Sequence, residues 1–138
     1  MTTFDSAFTA VVRARGVWRD DTPAAVLERW ESFVAECERG YRGDEFAYGN
    51  EAMSRTTLEA AFTDPSLQGY PELARLRQRV EAVDARLRPL LVEHAFPGID
   101  ADEWWLHGIV RRAGGRLAQD WKRSFGFDVE VVREPRLP

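Results

Sequence analysis

Lysine and cysteine are almost missing from this chain: Lys122 and Cys37 each stand alone among 138 residues. A single cysteine leaves no disulfide framework to build on. The scarcity of lysine beside plentiful arginine, alanine and glycine reads as coding bias rather than a functional signal. No run approaches the eighteen or so consecutive apolar residues of a membrane span, and the opening "MTTFDSAFTA" has neither the basic flank nor the apolar stretch of a secretory signal. A cytoplasmic protein of bacterial type, without a membrane partner, is the expectation.

An excess of positive charge is missing too. Lysine and arginine number 19 against 23 acidic residues, a net charge of −4. Residues 1–70 hold seven basic and twelve acidic groups, hence −5, whereas residues 100–138 balance at seven each. Nucleic-acid binding needs a dominant basic face to displace counterions from phosphates, so it is not expected, even though Trp104 and Trp121 are interleaved with Arg111, Arg112, Arg116, Lys122 and Arg123. Signature motifs are equally scarce: there is no P-loop, GxGxxG, CxxC, HExxH or GxSxG. Glu103 and His107 stand one helical turn apart, with Asp100 and His94 nearby in sequence, but the spacing of a third and fourth ligand is lacking. No cofactor, metal site or catalytic residue is therefore assigned, and whether the chain is an enzyme stays open.

What is present is a globular composition, 44% apolar with sixteen aromatic residues, enough for one core in one domain. Phe4, Phe8, Val11 and Val12 form the apolar side of a first helix, capped by Thr2 or Thr3 and closed by Gly16. In "TPAAVLERWESFVAECERG" Thr22 is the N-cap, Pro23 opens the helix and Gly40 follows its end. Val26, Leu27, Trp30, Phe33, Val34 and Cys37 make one stripe, on which the cysteine serves as a small hydrophobe. A further helix is expected from about Asn50 to Phe62, preceded by a turn at Gly49 and Asn50 and followed by a loop, "DPSLQGYP".

Leu73, Leu76, Val80, Val83, Leu87 and Leu90 then alternate steps of three and four, a heptad seam suited to an intramolecular bundle or a short zipper. Asp84 and Arg88 are expected as an i,i+4 pair on its outer face. "IDADEWWLHGIVRRA" reads as a helix from Asp100 to about Ala113. On it Trp105, Leu106, Ile109, Val110 and Ala113 face the core, while Trp104 falls behind with His107, Gly108 and Arg111. Ile99 and Trp104 occupy the positions of a hydrophobic staple. A short helix carrying Leu117, Ala118, Trp121 and Phe125 comes next. Last are an alternating strand, Phe127 to Val132, and a disordered tail at 133–138.

These elements add up to an all-α single domain over residues 1–132, a bundle of five or six helices with a short C-terminal β-strand. The strand's partner is open: the region of Val17 and Trp18, or a second copy of the chain, unless the segment is not a strand at all. A homodimer could close through that strand, residues 127–132, or through the seam from Leu73 to Leu90. The expected function is a non-catalytic protein-interaction module, an adaptor or a regulator in the manner of an immunity protein. Its contact surface would be the acidic aromatic loop 40–51, with Tyr41, Asp44, Glu45 and Tyr48 meeting a basic protein partner, joined by the aromatic and cationic cluster of Trp104, His107 and Arg111. The other reading of 40–51 is a connector whose Phe46 and Tyr48 enter the core while Asp44 and Glu45 open the next helix. The alternative is a small-ligand bundle or small enzyme with a pocket around His107, Arg111 and Trp105, walled by Trp30 and Trp121.

Overall fold

The computed structural model describes residues 2–92, 95–96 and 101–132. Six α-helices carry the fold, in agreement with the all-α expectation: α1 Phe4–Ala14, α2 Pro23–Arg39, α3 Glu45–Thr63, α4 Pro71–Leu87, α5 Trp104–His107 and α6 Gly115–Phe125. Among the described residues, four two-residue strands accompany them: β1 Leu91–Val92, β2 Ile109–Val110, β3 Arg112–Ala113 and β4 Glu130–Val131.

The local signals account for α1, α2 and α6. Thr3 accepts a hydrogen bond from the Ser6 amide at 3.1 Å and Thr22 one from the Ala25 amide at 3.2 Å, each satisfying a donor that the first helical turn leaves open. Gly126 ends α6 with φ +75°, the left-handed conformation that glycine adopts without strain.

Helix α2 lies between α3 and α4. Its stripe from Val26 to Cys37 is buried, and so is the α4 seam of Leu73, Leu76, Val80, Val83 and Leu87. Leu90 is half-buried. The seam is thus largely filled within the chain, as in a bundle. A row of aromatic rings continues the core: Trp30 stacks on Phe33 at 5.4 Å, Phe33 meets Tyr48 edge-on at 5.0 Å, and Tyr48 meets Trp121 at 4.9 Å.

Four expectations need correction. Helix α3 starts at Glu45 and runs through Gly49 and Asn50 to Thr63. Asp44 makes this possible by accepting from the Ala47 amide at 2.8 Å, an N-cap strong enough to carry one glycine in the second turn. What looked like a 40–51 loop is therefore a short connector followed by two turns of helix.

The expected helix from Asp100 to Ala113 is also absent over the described part. Residues Ala101–Glu103 form a 3-10 turn, α5 has four residues, and the chain then becomes extended. Gly108 is where it changes. A Cβ there would lie 3.0 Å from Leu91 Cδ1 and 3.4 Å from the Val92 carbonyl oxygen, so the backbone passes flat against β1. The β-branched Ile109 and Val110 then pair antiparallel with Val92 and Leu91, a setting such side chains favour.

The C-terminal strand, expected at 127–132, is regular only at Glu130–Val131, and it pairs in parallel with Arg112–Ala113. Val17 and Trp18 are not its partner. Ala113 bridges Tyr41 as well, so residues expected in a helix are the centre of a small parallel arrangement.

The last correction concerns Asp84, which is buried rather than on an outer face. The tail 133–138, together with Ile99, Asp100 and His94, lies outside the described residues.

Candidate functional site

Two helices and α5 define an open groove of about 400 Å³. Helix α3 contributes Glu45, Phe46, Tyr48, Gly49 and Ala52, positions that recur on one helical face. Helix α6 contributes Trp121, Ser124 and Phe125, while Trp105, Leu106, Gly108 and Phe96 complete the lining. Two large apolar side chains stand exposed on the rim, Phe46 at 79% and Phe125 at 51%. Phe125 is not isolated: Phe96 meets it edge-on at 5.1 Å, and Phe127 lies 5.7 Å from it.

The floor is rigid for identifiable reasons. Trp105 is buried, its indole Nε1 donates to Thr56 Oγ1 at 2.8 Å, and the Arg55 guanidinium lies 4.5 Å from its ring centroid. Arg55 is itself held by Asp84 and Glu59, so the cation–π contact is made by an immobilised group. Trp121 is fixed by the edge contact with Tyr48.

Polarity gathers at one end. Glu45 is the one charged side chain among the described residues lining the groove. Its Oε1 accepts from Ser124 Oγ at 3.0 Å, and its amide donates to Asp120 Oδ2 at 3.1 Å. With Asp44 capping the same helix end, three carboxylates stand around the point where the groove meets the α3 N-terminus.

The expected interface residues scatter. Glu45 and Tyr48 both line the groove, but Tyr48 is buried, with its hydroxyl hydrogen unmatched by any partner. Burial raises its phenol well above the ordinary value, and the nearby Cys37 and Tyr41 add to this. Tyr41 is buried too, donating to Glu51 Oε2 at 2.6 Å. Burial first, then that hydrogen bond, raises its phenol as well. The connector therefore does not display a pair of tyrosines, because both rings are used in the core and the exposed aromatic ring of this region is Phe46.

Trp104, His107 and Arg111 do not form one cluster. Trp104 is half-buried beneath the Arg88 guanidinium, 4.2 Å from its ring centroid. His107 is buried, with both ring nitrogens lacking a hydrogen-bond partner. Arg111 is on the surface and donates through Nε to the Leu91 carbonyl at 3.3 Å. A pocket shared by His107, Arg111 and Trp105 is likewise not formed. Trp105 and Trp121 line the groove, Arg111 lines a separate cavity of about 160 Å³ beside Gly40 and Val132, and Trp30 turns its indole to Asp84 at 3.0 Å. Arg111 leaves the face it was expected to share with Trp104 and His107 because α5 ends at His107 and the chain is extended from Ile109.

Among the described residues no three metal-ligating side chains come together, and no helix is long and apolar enough to cross a membrane. Cys37 is buried, and burial pushes its thiol far above the usual range, which leaves it without nucleophilic character at neutral pH. Comparison with known protein families, with characterised proteins and with solved structures finds no match to this chain.

Sequence reasoning missed Phe46 and Phe125 as surface residues and Asp84 with Arg55 as a buried pair. Phe125 is the last residue of α6, beside the Gly126 C-cap.

Proposed function

We propose that the chain is a non-catalytic protein-interaction module that binds its partner through the aromatic groove between α3 and α6. The observation that carries this reading is the exposure of Phe46 and Phe125 on the rim of a cavity whose floor is two tryptophans. Contiguous exposed aromatic surface of this kind marks interaction sites, and buried aromatic anchors dominate binding energy where proteins meet. The rim also favours a macromolecule over a small ligand. Small-molecule pockets enclose most of their ligand, whereas rings as exposed as Phe46 and Phe125 are covered only by a partner that spreads over the rim.

The test compares the wild-type chain with the Phe46→Ala, Phe125→Ala double variant as bait in extract of the native host. Circular dichroism and thermal midpoint serve as controls for folding. A protein retained by the wild type and released by a folded double variant supports the proposal. Identical retention by both overturns it.

A further inference from the structure

We infer that the groove accepts a cationic, apolar stretch of polypeptide: one large apolar side chain over Trp105 and Trp121, and a neighbouring lysine or arginine at Glu45. The inference rests on the binding role proposed above and adds the chemistry of the occupant.

Charge complementarity selects it. Among the described lining residues there is no lysine, arginine or histidine. Glu45 receives one hydroxyl hydrogen bond, from Ser124, and no ion pair is formed to it among the described residues. Asp120 faces the Glu45 amide and Asp44 caps the same helix end, so this end of the groove is negative. Six of the other eleven described lining residues are aromatic, and ring faces attract cations as well. An anionic segment would bring a like charge to Glu45, and a purely apolar one would cover a carboxylate that has the Ser124 hydroxyl but no opposite charge beside it. A lysine or arginine beside an apolar residue satisfies both halves of the groove.

The experiment uses the blocked pentapeptides Ala-Phe-Leu-Lys-Ala, Ala-Phe-Leu-Gln-Ala and Ala-Phe-Leu-Glu-Ala. Having no tryptophan, they leave the protein's own indole emission and calorimetric heats as clean readouts. The lysine peptide is expected to bind about fivefold more tightly than the glutamine peptide, the size of effect an exposed ion pair gives, and the glutamate peptide is expected to bind most weakly. Glu45→Gln, folded by its unchanged thermal midpoint, is expected to remove the preference, and added salt to shrink it.

Equal binding of all three peptides with no effect of Glu45→Gln overturns this inference and leaves the interaction module standing. Absence of saturable binding by every peptide also overturns it, and if the double alanine variant then retains the same proteins as the wild type, the module falls with it. Phenethylamine binding as tightly as the lysine peptide overturns the assignment to polypeptide.

Discussion

Asp84 on α4 and Arg55 on α3 meet inside the protein through three hydrogen bonds of 3.0–3.2 Å, and Trp30 of α2 donates a further one to the same carboxylate at 3.0 Å. Both side chains are buried, and Arg55 also bonds Glu59 and lies over Trp105. One ion pair therefore joins α2, α3, α4 and α5, and it sits directly behind the floor of the groove.

Removing one member of this pair should be far worse than removing both. Arg55→Met leaves Asp84 buried with only the Trp30 indole as donor and is expected to destabilise the fold by about 3–5 kcal/mol. Arg55→Met combined with Asp84→Leu should recover much of that loss, because no uncompensated charge remains. Urea unfolding of the two variants measures the difference, and equal loss in both would contradict a desolvation origin.

Gly114 and Gly115 are adjacent and should respond oppositely to alanine. A Cβ at Gly114 would lie 2.7 Å from the Tyr41 backbone oxygen, the same oxygen that accepts the Gly114 amide at 2.9 Å. Backbone cannot yield as a flexible side chain does, so Gly114→Ala should lower the thermal midpoint. Nothing lies within 4 Å of a Cβ at Gly115, the first residue of α6. Gly115→Ala is expected to stabilise by about 0.4–1 kcal/mol by restricting the unfolded chain.

Tyr48→Phe should be neutral or stabilising, by up to about 1 kcal/mol, since it deletes a buried hydroxyl that has no partner. Thermal melts of the single variant check this, and a marked destabilisation would reveal a hydrogen bond to water in the core. Tyr41→Phe is the contrast. It removes a hydroxyl that donates to Glu51 and should be the more costly change.

Alkaline pH should unfold the protein early. Cys37, Tyr41 and Tyr48 all have values raised by burial, so the folded chain holds them neutral while the unfolded chain ionises near about 8.5 for the thiol and about 10 for the phenols. A raised folded value means full stability below the unfolded value and progressive loss as pH rises toward the folded one. Urea midpoints should therefore be level from neutral pH to about 8 and fall steadily above it, and the fall should be shallower in Tyr48→Phe.

Much of the helical framework was legible because its evidence is local. Thr22, Pro23 and Gly40 bracket α2, the steps of three and four place the buried face of α4, and Gly126 stops α6; each signal acts within a turn or two of the residues it governs. Asp44 and Glu45 were legible as the opening of α3 in one of two readings of 40–51, but Gly49 and Asn50 moved the expected start to about Asn50, since a glycine weighs against a helix only when no stronger cap outweighs it. The groove was partly visible. Glu45, Tyr48, Trp105 and Trp121 were all singled out, though as members of two different sites.

What the chain alone determined is where helices begin, which stripe of each is apolar, and that one domain can bury them together, since these follow from side-chain spacing and backbone caps a few residues apart. Tertiary structure decided the rest. Asp84 became an interior anion because Arg55, twenty-nine positions away, could reach it. The backbone after His107 turned extended because β1 lies against Gly108. Phe46 and Phe125 came to share a rim because α3 and α6 pack side by side. Such outcomes depend on which distant surfaces meet, and a hydrophobic pattern states only that a face must be covered, not by what.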